Sequence, residues 1–211
     1  MNTTTPLLEI ITLSKHFGGV IALSKADMHV RQGEIASLIG PNGAGKTTLF
    51  NCVTGLDRPT AGEIKFRGRS LIGLRPDQVA VVGLARTFQN IRLFSQLTVL
   101  DNVKIGRHCR SRSRFWGAIS RNKKQRQEEA GIADDALKTL KFVGLEKYRD
   151  QVAGNLSYGD QRRLEIARAL ATEPALLLLD EPAAGMNPQE TKRLMDFIYA
   201  IREQGITILL I

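Results

Sequence analysis

Eight consecutive residues, Gly40-Pro41-Asn42-Gly43-Ala44-Gly45-Lys46-Thr47, have the Gly-x4-Gly-Lys-Thr spacing of a phosphate-binding loop. Glycines at these positions let the backbone curl until successive N–H groups point at one anion. A helix opening directly after the loop adds the partial positive charge of its N-terminus. Lys46 is then within reach of the β- and γ-phosphates of a nucleoside triphosphate, and the Thr47 hydroxyl can ligate Mg²⁺. A second group lies 134 residues further on, where the apolar run Leu176–Leu179 ends in Asp180-Glu181. An Asp at the carboxyl end of a buried strand can hold Mg²⁺, usually through water, and an adjacent Glu can polarise an attacking water. An acidic pair after a strand says little alone; with the phosphate loop it reads as the other half of a phosphoryl-transfer site. A third group is Leu156-Ser157-Tyr158-Gly159-Asp160-Gln161. Ser and Gly at a helix N-terminus form another anion site, and one nucleotide needs two such sites in one chain only under a special geometry.

Side chains of this kind work only at the ends of strands and helices that fix them. Leu7–Leu13, Ala26–Val30, Glu34–Ile39 and Glu63–Phe66 read as short strands, and the third runs directly into Gly40. Thr47–Gly55 follows a helical pattern with Leu49, Val53 and Leu56 able to face inward, and Pro59–Gly62 is a turn. From about Ile91 to Asn155 the pattern is mostly helical. Ile132, Ala136, Leu140 and Val143 recur at helical spacing within Gln127–Val143, and Gly144 is placed to stop that helix. Ser157 is placed to cap the next one, whose apolar stripe is Leu164, Ala167, Leu170 and Ala171. Ala175–Leu179 and Gly205–Ile211 are apolar runs of strand length, separated by an amphipathic helix over Thr191–Glu203. Continuous apolar strands alternating with helices predict an α/β fold around a parallel sheet.

With 211 residues, 43% hydrophobic and 24% charged, the chain is long enough for one domain with a real core. It holds no apolar run long enough to cross a bilayer, and Met1–Pro6 lacks a signal pattern. Cys52 and Cys109 do not make a disulfide framework and read as two reduced thiols. The net charge of +9 comes from one place: Lys104–Arg126 holds nine Lys/Arg and no Asp/Glu. With only Phe115 and Trp116 nearby, that run reads first as a solvated basic face, then as a contact for lipid headgroups or a membrane partner. It does not make a nucleic-acid module.

The order phosphate loop, lone Gln89, Leu-Ser-x-Gly, strand-Asp-Glu resembles that of the ATP-binding cassette ATPases of membrane transporters, over essentially the whole chain. Within that family, Ala85-Arg86-Thr87-Phe88-Gln89-Asn90-Ile91-Arg92-Leu93-Phe94, Ala183-Ala184-Gly185-Met186-Asn187-Pro188 and Tyr158 in the signature are similar to the branched-chain amino-acid importer group. The resemblance implies an α/β P-loop nucleotide-binding domain with an N-terminal antiparallel β subdomain and an inserted helical subdomain. One domain would fill 1–211, its core at about 1–90 and 165–211 and its helical part at about 91–164. The cofactors would be ATP and Mg²⁺. Gly40 to Thr47 and Thr48 would hold the phosphates, and Phe17 would stack on adenine. Glu181 would be the base, Lys46 and Gln89 its catalytic companions, and Thr47, Gln89 and Asp180 the metal group. Gln89 would also couple to the membrane subunit. Ser157 and Gly159 would contact the γ-phosphate held by another protomer, so the working unit would be a head-to-tail dimer, homo- or heterodimeric. Partners would be transmembrane permease subunits, a second ATPase subunit and, indirectly, a periplasmic binding protein, with no nucleic acid. The protein would sit in the cytoplasm against the inner face of the cell membrane.

Several positions depart from the family pattern. Tyr158 and Asp160 replace the commoner Gly and Gln of the signature, and Asn187 stands where many members have Asp. The switch histidine expected after the last strand has no counterpart, since the histidines are His16, His29 and His108. The expectation is a C-terminally truncated chain with weak turnover. The alternatives are an ATPase of lipid or lipopolysaccharide export, and a soluble cassette ATPase acting on nucleic acid or ribosomes.

Overall fold

The computed structural model describes residues 6–108 and 123–211, the side chains of 123–128 excepted. Cys109, Phe115, Trp116 and most of the basic run lie outside the described residues. Within that run, Lys104 pairs with Asp101 at 3.3 Å, and Arg107 with Asp135 at 2.9 Å and Glu173 at 2.7 Å. No helix among the described residues is long and apolar enough to cross a membrane.

Two sheets form. The strands β1 (Leu8–Phe17), β2 (Val20–Val30), β4 (Ala61–Phe66) and β5 (Arg69–Ser70) make an antiparallel sheet in the order β2-β1-β4-β5. The strands β3 (Ile35–Ser37), β6 (Leu84–Arg86), β7 (Leu176–Leu179) and β8 (Thr207–Leu210) make a parallel sheet in the order β3-β8-β7-β6. The helices are α1 (Lys46–Val53), α2 (Pro76–Val82), α3 (Val99–His108), α4 (Lys123–Phe142), α5 (Tyr158–Leu170) and α6 (Pro188–Glu203).

All four residues of β7 are buried, because the two faces of the strand feed two cores. Leu176 and Leu178 pack with Leu49, Phe50 and Val53 of α1 and with Leu8, Ile10 and Ile64 of the antiparallel sheet. Leu177 and Leu179 pack with Val103, Leu140, Leu164 and Ile198 of the surrounding helices. Successive side chains on a strand point to opposite faces, so an unbroken leucine run is what a covered sheet requires. The inward positions expected on α4 and α5 are buried, from Ile132 to Val143 and from Leu164 to Ala171. Gly144 follows α4 with φ +75°, a left-handed stop.

Leu56 departs from its expected inward place and is 48% exposed. The helix ends at Val53, and Leu56 lies past it in a turn where the 3.6-residue period no longer applies. The strands β5 and β6 and the helix α2 have too few residues to show a period and were not legible in the sequence. The expected subdomain boundary at 164/165 falls inside α5, which runs unbroken from Tyr158 to Leu170. Gly106 of α3 explains how closely α3 meets α5. A Cβ at that position would lie 2.2 Å from the Arg168 carbonyl oxygen, so only glycine fits.

Candidate functional site

In a parallel sheet, ligand sites form beyond the carboxyl ends of the strands. Here those ends carry the expected residues: Gly40–Thr47 after β3, Gln89 after β6, and Asp180-Glu181 after β7. The first loop is exposed, and Gly43 and Gly45 both take φ +84°. Gly45 also lies against β2, since a Cβ there would meet the Ala22 carbonyl oxygen at 2.3 Å. Gly45 is the N-cap of α1 and offers no side chain, so the first amides of α1 have no side-chain acceptor, and the first turn holds no acidic residue. An uncapped N-terminus facing an open loop suits an external anion. Lys46 folds back over the loop, its ammonium donating to the carbonyls of Gly40 at 2.7 Å and Pro41 at 2.8 Å. An incoming phosphate can replace both acceptors.

Asp180 is buried, and its Oδ2 accepts from Arg86 Nη2 at 2.7 Å. Arg86 donates also to Asn51 Oδ1 on α1 at 2.7 Å, with its guanidinium 5.5 Å from the Phe50 ring and 4.9 Å from the Phe88 ring. One arginine therefore ties the strand-end carboxylate, the helix behind the phosphate loop and the root of the Gln89 loop into one unit. The sequence reading missed Arg86 and Asn51. The signal was a lone cation three residues before Gln89, but its partners lie far off in sequence.

Glu181 holds φ +45°, a left-handed conformation that a residue with a side chain adopts only when its surroundings impose it. Its main-chain N–H donates to the Ile211 carbonyl at 3.2 Å. Its Oε2 accepts from Gln89 Nε2 at 2.8 Å, so the two residues meet across 92 positions of sequence. Hydroxyl, amide and carboxylate oxygens from Thr47, Gln89 and Asp180 are the hard donors that Mg²⁺ takes, alongside phosphate and water.

Phe17 is 47% exposed, so it is not a core aromatic. It ends β1 opposite Val20, with the Lys15 ammonium 4.5 Å above its ring. Its free face, on the hairpin that meets the loop at Ala22, suits stacking of a planar base.

Ser157 caps α5: its Oγ accepts from the Asp160 N–H at 3.3 Å and donates to Asp160 Oδ2 at 2.8 Å. The departure at Asp160 thus leaves the helix start intact while holding the Ser157 hydroxyl. Asn187, the other departure, caps α6 in a reciprocal box with Glu190. Ser157 and Gly159 are not brought to the phosphate loop. Among the described residues no hydrogen bond or ion pair joins them to Gly40–Thr48. The two groups expected to meet phosphate thus stand on separate elements, the loop before α1 and the start of α5. Two buried residues of α5, Arg162 and Glu165, were also missed, although opposite charges three apart on a helix are a readable pair.

The sequence matches the family described as ABC transporter over residues 23–184. It is 45% identical over 207 residues to the high-affinity branched-chain amino acid transport ATP-binding protein LivG of Salmonella typhimurium, covering 98% of this chain and 81% of that protein. It is 42% identical to the corresponding protein BraF of Pseudomonas aeruginosa, with the same coverage. Among solved structures, an ATP-binding cassette of an ABC transporter in its ADP conformation superposes with a TM-score of 0.83 at 31% identity, over 98% of this chain and 81% of that one.

Proposed function

The chain belongs to the ABC transporter family of ATPases, and from that membership we propose that it drives uptake of branched-chain or related amino acids across the cell membrane. The observation that carries this reading is the near full-length likeness to LivG, with a site in which Gln89 reaches Glu181. On this reading the phosphate loop binds the triphosphate of ATP, with Phe17 against the base and Thr48 among the loop's contacts. Lys46 transfers its hydrogen bonds from the Gly40 and Pro41 carbonyls to phosphate oxygens. Thr47, Gln89 and Asp180 would hold Mg²⁺, which when bound would neutralise charge on the phosphates. Gln89 leaves Glu181, whose carboxylate takes a proton from water as the water oxygen attacks the γ-phosphorus. The bond from that phosphorus to the ADP oxygen breaks, and ADP and phosphate leave.

Ser157 and Gly159 complete the site of a second cassette, so the working unit is a dimer, and the division into a core and a helical subdomain belongs to the same reading. The dimer sits on the inner face of the membrane against transmembrane permease subunits. Their docking place is a cleft of about 730 Å³ between α2, α3, α5 and the Gln89 loop, lined by Leu56, Val79, Phe88, Phe94 and Ile105. Leu56, Phe94 and Ile105 there are exposed apolar side chains, the mark of a covered surface.

The test is uptake. Co-expressed with transmembrane and binding-protein subunits, the full-length protein is expected to support ATP-dependent accumulation of labelled leucine. Unchanged leucine uptake after deletion of the gene, with no membrane subunit co-purifying, sinks the assignment.

A further inference from the structure

We propose that Arg162 and Glu165 form a positioning pair that locks the Gln89 loop to the helix bearing Ser157 and Gly159, making one rigid element of the parts that serve two different nucleotides. The proposal rests on the ATPase reading above and adds a role that the motifs themselves do not contain.

Both residues project from α5, three positions apart, and their side chains are 0% and 1% exposed. Arg162 Nη1 donates to Glu165 Oε2 at 2.9 Å. Neither charge is spent on the other alone. Arg162 also donates to the main-chain carbonyls of Phe88 at 2.6 Å and Gln89 at 2.7 Å. Glu165 Oε1 accepts from the main-chain N–H groups of Phe88 at 3.4 Å and Arg92 at 3.2 Å. Four main-chain groups around Gln89 are thus held by two side chains of one helix. That helix begins at Ser157, five residues before Arg162, a distance of about 7.5 Å at 1.5 Å per residue. A movement of the loop when Gln89 leaves Glu181 is carried by the pair into the helix start.

Stability gives no sufficient reason for these charges. A buried ion pair is often replaced by apolar residues of similar volume without loss, whereas removing one partner alone is costly. The chemistry asks instead for a planar fork. Arg162 serves two carbonyls and a carboxylate at once, which an ammonium cannot do with the same geometry. Main-chain groups in a partly buried loop need partners, and here the partners are chosen so that the loop cannot shift without α5.

The experiment compares the full-length protein, assembled with its transmembrane subunits, with the double variant Arg162→Met/Glu165→Leu and the single variant Arg162→Lys. Hydrolysis is measured against ATP concentration, and amide hydrogen exchange is followed over 86–92 and 157–160 with and without ATP. The double variant keeps the volume and leaves no orphaned side-chain charge but frees four main-chain groups, so its melting temperature is expected to fall, and hydrolysis is compared at a temperature where both proteins are folded. Its kcat is expected to fall about tenfold or more with KM within about twofold, the mark of lost positioning rather than lost binding. ATP is expected to change exchange in both segments of the unmutated protein, but only in 86–92 of the double variant. Arg162→Lys should fall between the two. If the double variant keeps its kcat within about twofold and both segments still respond together, the pair is packing only and the proposal is overturned. Should the double variant not fold, Arg162→Lys decides alone, by the same coupled or uncoupled exchange. Exchange reads the coupling even without turnover, so failure of the ATPase reading and failure of this proposal are separate results.

Discussion

At the scale of residues, the site is a set of groups resting on stand-in partners. Lys46 rests on two carbonyls, Gln89 on Glu181, and Asp180 on Arg86. These three side chains have partners without substrate, so binding exchanges their hydrogen bonds, while the first amides of α1 gain an acceptor. Glu181→Gln is expected to keep ATP binding, lose hydrolysis by about 10²-fold or more, and trap the dimer. Lys46→Ala should weaken binding itself, read by nucleotide titration. Hydrolysis by Glu181→Gln at the unmutated rate removes Glu181 as the base. Cys52, buried on α1, gives a different prediction. Burial, helped by the charge of Asp57 and opposed by Lys15, raises its thiol pKa from 9.0 to about 11. The folded state therefore holds the proton more tightly than the unfolded chain. The resulting stability is complete below about pH 9 and is lost as the pH rises towards 11. In a Cys109→Ser background, the native protein should resist iodoacetamide at pH 8 while the unfolded chain reacts. Cys52→Ala should flatten the alkaline decline, and an equally steep decline in that variant would refute the assignment to Cys52.

At the scale of elements, three strand ends carry the proposed site residues, and α5 bonds to the Gln89 loop through Arg162 and Glu165. The position of α5 depends on its approach to α3, where Gly106 allows the Arg168 carbonyl to come close. Gly106→Ala places a methyl against main-chain atoms that cannot rotate away. A loss of about 1–3 kcal/mol is expected from overpacking, seen as a lower urea midpoint. Hydrolysis should fall further than stability explains, because α5 carries both Ser157 and the pair on the Gln89 loop. An unchanged urea midpoint would mean that the helices separate freely and that α5 is not fixed by this contact.

At the scale of the whole molecule, the cleft beside the Gln89 loop is the proposed seat of a membrane partner, next to the proposed nucleotide site. Phe88 belongs to the loop and also lines the cleft, so a body seated there meets the same segment that places Gln89. A charge introduced at Ile105 should make that seat costly, since a buried unpaired carboxylate is strongly unfavourable. Ile105→Glu is expected to lower co-purification of the transmembrane subunits about tenfold while nucleotide titration is unchanged. Undiminished co-purification would move the docking surface elsewhere.

The sequence alone determined the chemistry and the fold class. Gly40–Thr47 and Asp180-Glu181 are contiguous, and local spacing is enough to read them. The leucine run of β7 likewise announces a strand covered on both faces. Helices long enough to repeat their period were legible, as the buried faces of α4 and α5 demonstrate. Leu56 was misread because its helix stops three residues earlier, and short elements such as β6 and α2 show no period at all. Only the tertiary structure joined Gln89 to Glu181, Arg86 to Asp180 and Asn51, and Arg162 to the Gln89 loop. Arg162 and Glu165 drew no reading from the sequence, and burial and four main-chain partners give them a place. The physical reason is separation along the chain. A motif is a local pattern, but a hydrogen bond across 92 residues exists only after the sheet has ordered its strands.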